Sequence, residues 1–492
     1  MIDRFPMPLN LIADRWIPVL DHAGTERVIA PWQIADPALA RLDWPRPDLN
    51  IACLELLIGL MFLADPPQDA EDWEARQRPD PDRLRDRLAA FAPAFDLLGD
   101  GPRFMQDRAR LEGEANPLDM LFIDSAGGQT TRNNADLMVW RDRYPALEPA
   151  LAAMAIYTLQ AFAPSGGAGN RTSMRGGGPM VTLVAPEGGG LWDLVWANVP
   201  DGTPGSTGDL PWMRATATSE TGQQVFPEQT HPVEAFFGMP RRLRLVADGE
   251  RITGVIQRPY GTNYAGWDHP LTPYYRLKLT TEWLPKHPRA GRFGYPNWLG
   301  TVIASERDSG LMRRAQMLRA WGERGNGRAA RVIVAGWAMD NMKPRDFILS
   351  TPPLLDLPPE TAEAVVGMVE AADLFSLALR NALGPVMAEG EAREAVREAF
   401  YAETQADFEA ALTADVGEAT ARIWLAAMRR VALHLFEARA LPGLADRDSA
   451  DQQAIVQAHR NLCGAFNGFG AYGGKAFAQL GLPAPARKQE AA

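Results

Sequence analysis

The sequence predicts an α+β protein: a large mixed α/β N-terminal domain over residues 1–355, then a C-terminal four-helix bundle over residues 356–492. Three observations predict it. The Pro-rich stretch from Ser350 to Pro359 divides two compositions, with short apolar runs broken by Gly and Pro before it and an Ala-, Leu- and Glu-rich chain after it. Beyond that divide, Val365, Val369, Ala372, Phe375 and Leu379 keep helical spacing, as do Trp424, Met428, Val431 and Leu435. Before it, Arg331 to Trp337 and Pro344 to Leu349 have strand composition around a polar tip, which is the pattern of a β-hairpin.

Length and composition bound the rest. At ~150 residues per domain, 492 residues suit two to four structural units. A hydrophobic content of 46% and a charged content of 23% are those of a globular protein. No apolar run reaches the ~18 residues of a membrane span. The most apolar stretch, Ile51 to Ala64, contains Glu55 and Gly59 and reads as a buried helix. The N-terminus lacks the basic-then-apolar order of a signal peptide, so the expected location is the cytoplasm, with no membrane partner. Cys53 and Cys463, the only cysteines, supply neither a disulfide framework nor a thiolate zinc site.

Taken in order, Asn10 to Val19 reads as a short strand entering a Pro-terminated turn, with Trp16 as a core anchor. Asp48 or Asn50 could cap the apolar helix. Pro81 to about Leu98 presents Leu84, Leu88, Phe91 and Phe95 at helical spacing, and Arg103 to Asp107 makes a compact turn. Asp124 to Asp136 is polar and Gly-containing, an exposed loop whose side chains suit phosphate and sugar. Leu147 to Phe162 is an Ala-rich helix. Thr182 to about Tyr275 looks β-rich with many breaks. Leu311, Ala315 and Leu318 suggest a helix ending near Gly322, and Pro344 puts the return strand of the hairpin at a sheet edge. Four helices then fit Glu360 to Leu383, Glu391 to Leu412, Gly417 to Ala440 and Ser449 to Phe466. Their short connections make an antiparallel bundle. A Gly-aromatic tail follows, set to cap the bundle or rest on the first domain.

The stretch Ser165 to Pro179 organises the N-terminal domain. It holds six glycines, Arg171 and Arg175, and no acid. Glycine backbone can approach another molecule closely. Successive free N–H groups form a concavity for anions, and arginine adds a planar fork of donors. The loop lacks the Gly-Lys-Ser/Thr closure of a nucleotide P-loop. By composition alone it also suits a long flexible connection. The net charge of −11 argues against a protein that coats nucleic acid unaided. Yet Ser309 to Arg345 carries eight basic residues against Glu323 and Asp340, and Arg241, Arg242, Arg244, Arg251 and Arg258 make a second basic cluster. Such patches suit a subunit that touches nucleic acid on one face, or a solvated face with scattered arginines.

Catalytic motifs are missing. The six histidines are isolated, no His-Glu-x-x-His or Gly-x-Ser-x-Gly occurs, and sequence alone nominates no carboxylate dyad. No catalytic residue, metal ligand or cofactor is expected.

Several stretches resemble one family in its order and approximate spacing. They are Asn10 to Val19, Phe104-Met105-Gln106, Met174 to Pro179, and Gly336-Trp337-Ala338-Met339-Asp340-Asn341-Met342-Lys343. The family is CasA, the large subunit of the type I-E CRISPR Cascade complex, and the resemblance spans nearly the whole chain. It implies a non-catalytic assembly factor that holds the crRNA 5′ handle beside other Cascade subunits. It further implies that the protein inspects target dsDNA for the protospacer-adjacent motif from the minor groove, helps start strand separation and recruits a helicase-nuclease. By the same resemblance the glycine loop maps to Gly166, Gly167, Gly169, Asn170, Arg171 and Arg175. The wedge hairpin maps to Asp340, Asn341, Met342 and Lys343, and the guide-docking loop to Arg132, Asn133 and Asn134. Some relatives carry a Cys-rich zinc knot before a basic finger. Here Arg244 to Tyr260 has no cysteine, so no zinc is expected and Arg258 stands for the finger. Two other readings stay open: a structural scaffold, with the hairpin an edge turn whose lysine deters aggregation, and a metal-dependent nucleic-acid hydrolase.

Overall fold

A computed structural model of the chain describes residues 9–125, 127–134, 136, 140–167, 169–303, 310–355, 357–412 and 417–483. The chain divides into two compact units, Met1–Ala290 with Arg314–Leu354 and Gly291–Arg313 with Leu355–Ala492. It is a mixed helix-and-strand protein whose C-terminal part is helical.

In the first unit, strand Ile17–Asp21 pairs antiparallel with Glu26–Ile29 on one side and Leu39–Leu42 on the other. Trp16 is fully buried at their entrance and its indole N–H donates to the Leu11 carbonyl at 2.8 Å. The apolar helix runs Pro47–Ala64, four residues longer at its start than the sequence pattern suggested. Arg46 is its N-cap residue, while Asp48 lies inside its first turn and pairs with Arg46. Its 18 residues have the length and apolar character of a membrane span, but 89% of that window is buried inside the fold, as in a core helix. Helix Pro149–Phe162 packs against it.

The main sheet has three antiparallel strands. Ala330–Asp340 lies in the middle, between Val181–Pro186 and Lys343–Ser350. Ile333 pairs with Leu183, and Trp337 with Phe347. Lys343–Ser350 is an edge strand, the position that suits Pro344 with its missing N–H. A second hairpin pairs Arg242–Asp248 with Arg251–Arg258.

The span expected to be β-rich is not. Between Pro186 and Arg242 lie the short helices Leu191–Trp196 and Glu234–Phe237 and several 3-10 turns. Gly and Pro recur too often there for a pairing strand, and aromatic anchors fix the chain instead. Trp73 and Trp196 exchange indole hydrogen bonds to each other's carbonyls at 2.9 and 3.1 Å. Trp212 is fully buried against Phe95, Phe104 and Phe237.

The second unit contains helices Pro359–Ala382, Glu391–Leu412, Glu418–Ala440 and Ser449–Ala465. The Gly-aromatic tail forms a short further helix, Gly470–Gln479, against the first of them. Gly367 permits this approach, because a Cβ there would lie 2.1 Å from the Gln479 carbonyl. Residues 291–313, which the sequence reading left in the first domain, contribute to this bundle's core. Tyr295 stacks on Phe408 at 4.4 Å and its hydroxyl meets Thr404 at 2.9 Å, while Trp298 is buried beside Phe408.

Candidate nucleic-acid interface

The glycine loop leaves helix Pro149–Phe162 and returns to strand Val181–Pro186. Its base is closed by main-chain bonds: Ser173 donates to the Ala163 carbonyl at 2.9 Å and Gly178 to that of Phe162 at 3.0 Å. Its outer turn is closed by Asn170 donating to Gly167 at 2.7 Å and Gly166 donating to Asn170 at 3.2 Å. Two glycines show two different needs. Gly178 has φ 64° and a Cβ on it would lie 2.4 Å from the Trp337 carbonyl, so the loop exit fits directly under the hairpin. Gly167 has φ 63° and nothing within 4 Å of such a Cβ, so it is exposed backbone in left-handed geometry. Gly166 is also exposed; Gly169, Asn170 and Arg171 are half-buried. Arg171 donates from Nε to Ser219 Oγ at 2.8 Å.

Arg175 is corrected as a direct DNA contact. It is 3% exposed and forms a buried ion pair with Glu55, Nη2 to Oε2 at 2.7 Å. Nη1 donates to Thr272 Oγ1 at 3.2 Å, and the guanidinium lies over the Phe162 ring. A cation that has left water needs such a partner, and Glu55 of the core helix is that partner. Burial pushes the Glu55 carboxyl up, against the opposing pull of Arg175. His269 Nε2 lies 3.8 Å from Glu55 Oε2, and burial, then the Arg175 charge, hold this imidazole well below its ordinary range, so it is neutral. Arg175 therefore anchors the loop in the core.

Arg241 supports the loop from the other side. It is 6% exposed, donates from Nε to the Arg171 carbonyl at 2.8 Å, and also donates from Nη2 to the Pro164 carbonyl. Gln160 fixes its main chain, accepting from the Arg241 N–H and donating to its carbonyl, both at 2.9 Å. Burial pushes Arg241 down to about 10, which leaves it charged at neutral pH. The sequence placed Arg241 in a basic cluster but gave no sign that it braces the loop.

The hairpin tip is a two-residue turn with Asn341 at φ 47° and Met342 at φ 62°. Two positive φ values mark the mirror-image turn that suits the twist of paired strands, normally filled by Asn-Gly. Methionine in the second place costs about 1–2 kcal/mol of backbone strain. Met342 is 45% exposed, and its sulfur lies 3.2 Å from where a Cβ on Gly177 would sit. Asn341 donates to Asp340 Oδ1 at 3.0 Å, and Arg345 pairs with Asp340 Oδ2 at 2.7 Å. Lys343 is exposed.

Arg258 ends the second hairpin, exposed and without an ion pair among the described residues. The chain turns next at Tyr260, whose φ is 61°, whose N–H donates to the Gly169 carbonyl at 2.9 Å and whose ring lies against Gly169. The glycine loop thus touches both the turn that follows Arg258, through Tyr260 on Gly169, and the hairpin tip, through Met342 at Gly177, while the Arg258 guanidinium itself lies beside Gly113. The residues expected to dock the guide, Arg132, Asn133 and Asn134, are held otherwise. Arg132 ends the short helix Gly128–Arg132, and Asn133 and Asn134 follow it, exposed. Arg141 donates to the Thr131 carbonyl, to Asn134 Oδ1 and to Asp136. Asp124 sits between Arg46 and Arg143; burial pulls its carboxyl up, but the two arginines outweigh this and hold it low. Among the described residues no group of three His, Cys, Asp or Glu side chains is placed to hold a metal ion.

The chain matches the family model of CRISPR-associated protein Cse1 over residues 10–435. Its fold is similar to that of Thermobifida fusca Cse1, with a TM-score of 0.71 and 18% identity over 96% of this chain and 98% of that one. Thermus thermophilus CasA (Cse1) is similar with a TM-score of 0.69 and 18% identity over 94% of this chain and 99% of that one. So is a chain from a CRISPR RNA-guided surveillance complex, with a TM-score of 0.71 and 15% identity over 93% and 100%. Because the family match runs through both the glycine loop and the hairpin and on into the helical unit, this chain belongs to the Cse1 (CasA) family of CRISPR-associated proteins.

Proposed function

We propose that this chain is the non-catalytic large subunit of a crRNA-guided type I-E Cascade complex. In this reading it senses the protospacer-adjacent motif in target dsDNA from the minor groove, helps open the duplex for R-loop formation and recruits a helicase-nuclease. Family membership supports the subunit role, as does the fold shared with a chain of an RNA-guided surveillance complex. One observation supports the finer reading: the loop that exposes main chain at Gly166 and Gly167 is in contact with the strained apolar tip through Met342 at Gly177, and with the turn two residues beyond Arg258 through Tyr260 at Gly169.

The chemistry fits each part. Minor-groove edges distinguish little more than A·T from G·C, so the reader there can be backbone without long side chains. Exposed glycine can enter a narrow groove. Met342, with Asn341 and Lys343 beside it, is an apolar wedge that replaces lost stacking, at a cost of a few kcal/mol per unstacked step. Guide pairing nearly balances the duplex it displaces, so a small push at the first step decides whether the R-loop starts. Arg132, Asn133 and Asn134 take the end of the guide that carries the 5′ handle.

The test is a complex reconstituted with crRNA and the other subunits, carrying Asn341→Gly and Met342→Gly together. Assembly should be spared and R-loop formation slowed at least roughly tenfold, as expected when about 1.4 kcal/mol or more of the stacking replaced by the wedge is lost. Unchanged R-loop kinetics would count against the wedge, and lost assembly would favour a scaffold.

A further inference from the structure

The exposed turn of the glycine loop is braced by a positive charge that no carboxylate among the described residues neutralises. Arg241 is almost fully buried, and its guanidinium is held by main-chain carbonyls of Pro164 and Arg171, not by a carboxylate. The stretch Ala163 to Pro179 contains no acid. Arg241 thus differs from Arg175 on the loop's inner side, which has Glu55. A buried arginine without a counter-charge is costly, and the fold keeps this one in a fixed place through Gln160.

Two further features lie at the same turn. Nη1 of Arg241 makes no hydrogen bond among the described residues and lies 2.9 Å from where a Cβ on Gly166 would sit, a place that only glycine leaves open. The N–H groups of Gly167 and Gly169 have no acceptor among the described residues, and space around Gly167 is clear. Main-chain donors without an acceptor on the turn that a fixed cation braces suit an anion.

We infer that Gly167, Gly169 and Arg241 form a seat for one phosphodiester of the target duplex, with Arg241 acting as both the brace of the loop and the counter-charge of that phosphate. This rests on the DNA-sensing reading and deepens it. The loop does not only lie close to the groove; it grips one linkage, and that grip sets the register in which the groove floor meets the glycines. Phosphate contacts fix register while carrying no sequence information themselves.

The experiment is a cycle between protein and DNA in the assembled complex. Each linkage flanking the motif is replaced in turn by an uncharged methylphosphonate, and target capture is timed with wild-type protein, Arg241→Gln and Arg241→Lys. At one linkage the wild type should lose roughly tenfold in capture rate, as for a charge-assisted hydrogen bond. Arg241→Gln should be slow on the unmodified duplex yet indifferent to that linkage, and Arg241→Lys should keep part of the sensitivity. Should Arg241→Gln fail to assemble, Arg241→citrulline, which keeps Nε–H and the brace without the charge, carries the same cycle. Penalties that multiply at every linkage would overturn the seat while leaving motif sensing intact. A wild type insensitive to every linkage and to the motif sequence would overturn the DNA-sensing reading with it.

Discussion

The glycine loop and the hairpin tip touch at Gly177 and Met342, yet they are held in opposite ways. The loop has hardly any side chains of its own at its crest, and its shape is imposed from below. Arg175 ties its inner arm to Glu55 in the core helix, and Arg241 ties its outer arm to the Gln160 end of helix Pro149–Phe162. The tip has no such support. Its two central residues stand in left-handed backbone, stabilised by strand pairing on either side and by surface contacts of Asp340. A braced loop keeps a fixed shape. A strained, exposed tip stores a small cost that an apolar contact with DNA could repay.

The sharpest way to break this contrast is Arg175→Ala. It strands Glu55 without its cation in the core and should destabilise the first unit by about 3–5 kcal/mol. Urea unfolding followed by tryptophan fluorescence measures it, since Trp16, Trp73 and Trp212 are buried in that unit. A loss below about 1 kcal/mol would mean that the loop holds its shape without the core ion pair. A conservative Lys cannot restore the two-pronged contact with Glu55 and Thr272, so it should recover only part of the loss.

A smaller effect should come from acid. His269 is fully buried beside the Glu55–Arg175 pair, and its folded-state affinity for protons is depressed by burial and by the arginine. Above its ordinary value of 6.5, neither folded nor unfolded chain is protonated there, and its contribution is fully present. Below 6.5 the unfolded chain takes up a proton that the folded chain refuses. Stability is then lost at up to about 1.4 kcal/mol per pH unit as pH falls towards the depressed folded value. The measurement is the difference between wild type and His269→Asn in urea midpoints at pH 7.5, 6.5 and 5.5. Asparagine retains an acceptor for the Leu271 N–H that His269 Nδ1 now accepts at 3.2 Å. A difference that does not change with pH would remove His269 from the loop's acid sensitivity.

How much of this could be read from sequence divides along the same line. The hairpin was legible, because strand composition either side of a polar tip and a Pro at an edge are local signals. The glycine loop was legible as a loop for the same reason. Its supports were not. Whether an arginine among glycines faces water or core depends on Glu55, 120 residues earlier in the chain, and no local pattern reports that. Arg241 lay in a basic cluster that looked solvated, and only the fold turns it inward. The span before Arg242 failed as a β region because its aromatics act as isolated anchors and not as strand faces. Residues 291–313 belong to the helical unit through Tyr295 and Trp298, whose partners Thr404 and Phe408 lie about a hundred residues further on.

The hairpin tip yields the smallest change in stability and the clearest separation of stability from function. Met342→Gly removes a side chain from left-handed backbone that glycine adopts freely, relieving about 1–2 kcal/mol of strain. The greater freedom of glycine in the unfolded chain offsets about 0.5–1 kcal/mol of that. The folded protein should therefore become slightly more stable, by no more than about 1.5 kcal/mol, as a small upward shift in urea midpoint. On the proposed reading the same change takes away the wedge and should slow R-loop initiation several-fold in the assembled complex. A tip kept only to end a hairpin would gain stability and lose nothing. If instead stability falls, the contact of the Met342 sulfur with Gly177 outweighs the backbone strain, and the tip is braced by the loop after all.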